Sequence, residues 1–198
     1  MPSYLALLRG INVGGKNRIG MQELVDCFRT KGYGGVRTHL QSGNVLFAAE
    51  SQNGAELEAE LERHLRERFA IDIPVVVRSE DELAATVAAA PAGHGSEELR
   101  SEVFFLKRPL TVESVLAQLP ELREGVDSIA PGPDALYFSR LAARATETRI
   151  TRLMGMPIFQ QMTVRSWRTT TRLLELIADR DDRPTVDTDQ ATSAWISM

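Results

Sequence analysis

The alternation of two hydrophobic periods through the first 79 residues constrains this chain more than any other feature. Tyr4-Leu5-Ala6-Leu7-Leu8 is a short continuous apolar run closed by Arg9-Gly10, the pattern of a strand covered on both faces. Met21, Leu24, Val25 and Phe28 then recur at helical spacing up to Gly32. Leu57, Leu61, Leu65 and Phe69 do the same among Glu and Arg, from about Ala55 to Ala70. Between these helices, Val36 to Gln41 and Val45 to Ala48 read as strands joined by Ser42-Gly43-Asn44, whose glycine and asparagine supply the positive φ of a tight hairpin. Ile73 to Val77 is a fourth strand, and Pro74 marks a strand start or an edge because proline cannot donate to a ladder. The order strand, helix, strand, strand, helix, strand predicts a ferredoxin-like βαββαβ module over residues 1–79.

A short helix, Asp81 to Ala90, and the stretch Pro91-Ala92-Gly93-His94-Gly95-Ser96 make residues 80–101 a connecting segment. A second, smaller α+β module is expected over 102–180. Its strands are Val103 to Leu106, Ser128 to Ala130 and Ala135 to Phe138, with helices at Val112 to Leu119 and around Ile150 to Met154. A long C-terminal helix, about Trp167 to Asp179, is striped by Leu173, Leu174 and Ile177. This half repeats the element order of the first. Residues 181–198 are polar, Asp-rich and aperiodic, and are expected to be disordered. The fold class predicted is α+β.

With 43% hydrophobic and 25% charged residues, 198 residues suffice for one large core or two small ones. No eighteen-residue apolar run occurs and no basic, apolar leader precedes the first strand, so a cytoplasmic protein with no membrane partner is expected. A single cysteine, Cys27, excludes an intramolecular disulfide. His39, His64 and His94 lack ligand spacing with it or with one another, so no metal site is expected and no motif specifies a cofactor. The net charge of -4 argues against a general nucleic-acid coat. Residues 140–172, however, hold seven arginines against one acid, Glu147, which is +6 there and -10 elsewhere. Charge so segregated implies an anionic partner.

Three segments carry candidate chemistry. Gly10-Ile11-Asn12-Val13-Gly14-Gly15-Lys16-Asn17 satisfies the G-x-x-x-x-G-K part of a phosphate-binding loop after a strand. Asn17 stands where a Ser or Thr hydroxyl would hold magnesium, and the helix starts several residues late, so nucleotide hydrolysis is not implied. Taken alone, the glycines read rather as turn residues linking strand to helix, which does not account for Lys16 and Arg18. Loop N–H groups with Arg9, Lys16 and Arg18 suit a phosphate or carboxylate without hydrolysis. In Arg165-Ser166-Trp167-Arg168-Thr169-Thr170-Thr171-Arg172, a helix beginning near Ser166 would place Arg165, Arg168 and Arg172 along one stripe. Cations at a helix N-terminus oppose the macrodipole, so something anionic should offset them, whether a ligand or acids of the other module. In the hairpin, Arg37, His39 and Gln41 share a face that is ordinarily just solvated, and Asn44 and Ser42 close the turn. Cys27 lacks a basic neighbour and reads as packing.

The strings Tyr4 to Asn17, Gln41-Ser42-Gly43-Asn44-Val45 and Arg165-Ser166-Trp167-Arg168-Thr169 together resemble the family catalogued as domain of unknown function 1697, over about residues 3 to 178. Ser166 departs from it, since that family usually has Asn between the Arg and Trp. The resemblance implies a two-part α+β fold with a ferredoxin-like N-terminal half and no established activity. The first expectation is therefore a protein binding a phosphorylated or carboxylated small molecule. Its site would be Arg9, Asn12, Gly14, Gly15, Lys16, Asn17, Ser42, Asn44, Arg165, Trp167, Arg168 and Thr169, bridging residues 9–18 and 165–172. RNA or DNA binding through the 140–172 window, an enzyme using His39 or the loop, and a purely structural protein are the alternatives. The strands lack the aromatic run of sheet-surface RNA binders.

Overall fold

The computed structural model describes residues 1–50 and 53–179; the predicted tail at 181–198 lies outside them. The elements are β1 (Ser3–Leu8), α1 (Met21–Thr30), β2 (Gly34–His39), β3 (Asn44–Ala48), α2 (Gly54–Phe69), β4 (Val75–Ser79) and α3 (Glu80–Ala88). They continue with β5 (Leu99–Leu106), α4 (Val112–Leu116), β6 (Asp127–Gly132), β7 (Ala135–Leu141), α5 (Thr151–Met154), β8 (Met162–Ser166) and α6 (Trp167–Ala178). Single 3₁₀ turns at Ala142–Glu147 and Pro157–Gln161 flank α5.

The first half forms an antiparallel four-stranded sheet in the order β2-β3-β1-β4, the ferredoxin-like arrangement. The second half forms another in the order β6-β7-β5-β8, the same arrangement moved along the chain. Its fourth strand, β8, is absent from the sequence reading. Met162-Thr163-Val164-Arg165 is short, and it alternates with a polar residue on the covered face.

Period-2 alternation sorts each central strand between two cores. In β1, Tyr4, Ala6 and Leu8 face outward onto α1 and α2, meeting Leu24, Phe28, Leu57, Leu61 and Leu65. In β5, Phe104 and Leu106 face outward onto Val115 of α4 and Leu153 of α5. The opposite faces turn toward each other. Leu5, Leu7, Leu46 and Val76 share a third core with Val103, Phe105 and Tyr137, into which α3 and α6 insert Leu83, Leu173 and Ile177. The order of layers is helices, sheet, the helix pair, sheet, helices. No helix among the described residues is long and apolar enough to cross a membrane.

Two serines start the central helices. Ser79 and Ser166 each end a strand, and each accepts the N–H three residues on, from Glu82 (3.2 Å) and Thr169 (3.2 Å). The tripeptide before each helix is the same, Val77-Arg78-Ser79 and Val164-Arg165-Ser166.

Candidate functional site

The glycine-rich loop is a miniature hairpin. Lys16 N–H donates to Val13 O (3.1 Å) and Asn12 N–H to Asn17 O (3.1 Å), with Gly14 at φ +58 and Gly15 at +77 between them. Two consecutive positive φ values are those of a type I′ turn, which glycine adopts without strain. The loop is therefore folded on itself and does not wrap a phosphate as a P-loop does. Asn12 secures the base: Oδ1 accepts Ile19 N–H (2.9 Å), while Nδ2 donates to Ile19 O (3.0 Å) and Gln41 O (2.9 Å). Asn17 Nδ2 donates to Gly10 O (3.0 Å). Ile11 is buried beneath, and Val13 at the tip is 62% exposed. Gly14, Gly15, Lys16 and Arg18 are exposed too.

Arg165 lies in β8, not in the following helix, and faces the shared core at 8% exposure. Nε donates to Asn44 Oδ1, Nη1 to Thr163 Oγ1 (2.9 Å) and Val164 O (2.8 Å), and Nη2 to Leu8 O (2.9 Å) and Ser42 O (3.0 Å). All five guanidinium hydrogens are thus engaged inside the protein. Burial pushes its pKa down to about 10, which leaves it a cation at neutral pH solvated by oxygen dipoles. Asn44 acts through its side chain: Nδ2 donates to His39 O (2.7 Å) and Ser42 Oγ (3.2 Å), and its backbone is ordinary strand. The positive φ values of this turn belong to Leu40 and Gly43 instead. At Gly43 a Cβ would stand 2.8 Å from both Leu8 and Ile11 side-chain carbons.

Arg9 is also committed across the two halves. Its guanidinium donates to Met162 O and Gln160 Oε1 (3.3 Å) and lies 4.6 Å from the Phe159 ring centroid. Arg165, Ser42, Asn44 and Asn12 consequently form one network around the Gln41–Asn44 turn. Lys16, Arg18 and Arg168 stand outside it. All three are exposed, and their side chains make no ion pair or hydrogen bond among the described residues.

The arginine-rich window is largely balanced by acids. Arg140 meets Glu102 (3.3 Å), Arg144 meets Glu147 (2.7 Å), Arg149 and Arg152 meet Glu121 (3.4 and 3.6 Å), and Arg172 meets Glu175 (2.8 Å). With Arg165 buried, Arg168 is the one of the seven whose side chain has no ion-pair or hydrogen-bond partner among the described residues.

Trp167 opens α6 and is half-buried, its ring edge-on to His94 at 4.8 Å. Thr169 Oγ1 bonds the Ser166 hydroxyl (2.9 Å). Sequence reasoning missed the chain behind Trp167. Gly95 N–H donates to Ser101 Oγ (2.9 Å), which bonds Ser139 Oγ (2.9 Å), which bonds His94 Nδ1 (3.0 Å). His94 Nε2 is buried with no hydrogen-bond partner among the described residues, and burial holds the imidazole pKa below its ordinary value. The Gly-His-Gly spelling of this connecting segment was the available signal. Arg37 Nη2 caps the far end of α6 through Leu176 O (2.7 Å) and Asp179 O (3.1 Å). Cys27 is buried, its thiol pushed up to about 11 by desolvation, and is unreactive packing. No cluster of three or more His, Cys, Asp or Glu among the described residues is arranged to hold a metal.

The other buried arginine was also missed. Arg78, 0% exposed, donates from Nη2 to Leu106 O (2.6 Å) and Asp134 O (2.9 Å) of the second half. It is the counterpart of Arg165, which reaches Leu8 O and Ser42 O of the first. Beside it, the buried Glu58 carboxylate accepts Val77 N–H (3.0 Å) and Arg108 N–H (3.2 Å) and lies 3.9 Å from Lys107.

A family model described as "Protein of unknown function (DUF1697)" matches residues 1–137. The solved structure of conserved bacterial protein SP0830 from Streptococcus pneumoniae superposes with a TM-score of 0.80 at 24% identity, covering 89% of this chain and 98% of that one. At that identity the likeness shows the fold alone. No curated protein matches the sequence.

Proposed function

Because the chain belongs to the DUF1697 family of proteins of unknown function, we propose from its own geometry that it binds a small phosphorylated or carboxylated molecule at the rim between the finger, residues 12–17, and the first turn of α6. Lys16, Arg18 and Arg168 supply the charge, with Trp167 and Thr169 beside them. The observation that carries this reading is selective: Arg9 and Arg165 are committed internally, whereas these three cations have no partner among the described residues. The Gln41–Asn44 turn links the two segments, since Asn12 bonds Gln41 on one side and Arg165 bonds Ser42 on the other, three residues before Arg168. An anion there also favours the N-terminal end of the α6 dipole, which the arginine oppositely disfavours.

The test is a thermal-shift screen of the full chain with inorganic phosphate, pyrophosphate, nucleotides and carboxylic acids. A ligand at one hundred times its Kd stabilises by about 2.7 kcal/mol, or roughly 5–11 °C for a domain of this size. Lys16→Ala with Arg168→Ala should abolish the shift without lowering the midpoint of the free protein, because both side chains are exposed. A shift that survives the double substitution, or its absence across the panel, refutes the reading.

A further inference from the structure

Beyond the rim, the geometry points to a second binding site, for a small monocarboxylate with an apolar body, in a cleft on the outer face of the second sheet. The cleft holds about 350 Å³, within the range of small-molecule pockets. It lies where β7 leaves the sheet and folds back through the 3₁₀ turn Ala142–Glu147 toward α5. Part of its lining is apolar: three alanines of that turn, Ile150, and Met154, which is 46% exposed. The polar part includes Thr146, Thr151 and two arginines, Arg100 and Arg140.

Those two arginines break a rule of sheet pairing. Arg100 and Arg140 are directly opposite in the β5–β7 register, where like charges repel. Arg140 is compensated by Glu102 (3.3 Å) on one side and faces Asp127 across the β6–β7 pairing on the other. Asp127 is itself occupied, accepting the N–H groups of Arg123 (3.0 Å) and Arg149 (2.8 Å). Arg100 is exposed, and its side chain has no ion pair or hydrogen bond among the described residues. One cation is therefore left over at the mouth of a partly apolar cleft, which suits a single negative charge. A carboxylate forked on Arg100 would lay its hydrocarbon portion against Ile150 and Met154. A multiply charged phosphate would meet Glu102 and Asp127 close behind Arg140.

The test uses the full chain, isothermal titration and thermal shift, with hexanoate, hexylamine and inorganic phosphate as probes. Hexanoate should bind and raise the midpoint in the wild type and in Lys16→Ala/Arg168→Ala, which separates this site from the rim. Arg100→Gln should weaken hexanoate by about tenfold or more, the loss of one charge-assisted hydrogen bond, and should leave folding intact because the Arg100 side chain is exposed and makes no ion pair or hydrogen bond among the described residues. Met154→Ser should weaken it independently by removing apolar contact. Hexylamine should not bind, and phosphate should not bind Lys16→Ala/Arg168→Ala, in which the rim has lost its charge. The proposal is overturned if hexanoate fails to bind the wild type, if its affinity is unchanged in Arg100→Gln, or if phosphate binds in an Arg100-dependent way, which would mean a bare-anion site.

Discussion

Replacing Arg165 with alanine separates a folding role from a ligand-binding one. The substitution removes every donor that reaches Leu8 O, Ser42 O, Asn44 Oδ1 and Thr163 Oγ1. Leu8, Asn44 and Thr163 are all buried, so water does not replace the lost donors cheaply. An unsatisfied buried acceptor costs about 1–3 kcal/mol, and three buried oxygens lose their arginine donor together. A loss near 4 kcal/mol follows, or roughly 8–16 °C in midpoint, a large share of an ordinary stability of about 5–15 kcal/mol. Arg165→Lys should recover little, since three donors from one nitrogen cannot span oxygens on β1, the β2–β3 turn and β8. Urea unfolding followed by circular dichroism measures the loss as a shift in transition midpoint at constant slope. A loss below about 1 kcal/mol would refute the reasoning, and would mean that the guanidinium is not the clasp its contacts describe.

Arg78→Ala should cost a similar amount by the same assay, because it takes the arginine donor from Leu106 O, leaves Asp134 O with only the Leu106 N–H, and leaves Glu58 short of a cation; near-neutrality would break the analogy between the halves. Gly43→Ala should destabilise by about 2–3 kcal/mol, through a φ of +78 and a 2.8 Å approach to Leu8 and Ile11, and an unchanged midpoint would refute that packing. His94 gives a pH effect with a definite sign. Its folded pKa lies below the ordinary 6.5 because of burial, so the unfolded chain takes up the proton first. The associated stability is complete above about pH 6.5 and is lost as pH falls toward the folded value. Urea midpoints at about pH 7.5 and about pH 5.5 should therefore differ more for the wild type than for His94→Gln, and equal differences would contradict the assignment.

The first half was legible because its strands and helices are dense in apolar residues at clean periods; Tyr4 to Leu8 and Leu57 to Phe69 admit one reading each. Boundaries moved by a residue or two, as with β4, which starts after Pro74 and extends to its capping Ser79. The second half was harder for a physical reason. Between Leu141 and Met162 the chain runs through short helical turns stabilised by local bonds, such as Thr148 Oγ1 accepting Ile150 N–H, which leave no period. β8 went unrecognised because Arg165, an inward residue, reads as surface by composition, and the charge window looked basic because its neutralising acids, Glu102 and Glu121, lie elsewhere in the sequence. The finger's glycines were legible as turn formers, and their pairing with Asn12 and Asn17 only from coordinates.

The near-equivalence of the two halves offers a way to sort folding residues from functional ones. Leu8-Arg9 at the end of β1 corresponds to Leu106-Lys107 at the end of β5. Arg9 crosses to Met162 and Gln160, and Lys107 crosses to Glu58 and Glu62. Arg78 and Arg165 make the same exchange in opposite directions. A role performed twice, once by each half upon the other, is what holding two modules together requires, and a ligand site has no reason to be duplicated in that way. Function beyond folding is then to be sought where the halves differ. After β1 the chain spends residues 9–20 on an exposed hairpin before α1, whereas after β5 residues 107–111 suffice to reach α4. The finger adds nothing to the shared core, and Ile11 and Ile19 on either side of it join the outer one, yet it is ordered by its own bonds and by Asn12. That asymmetry, rather than the glycine pattern by itself, is the stronger reason to look for a ligand beside Lys16.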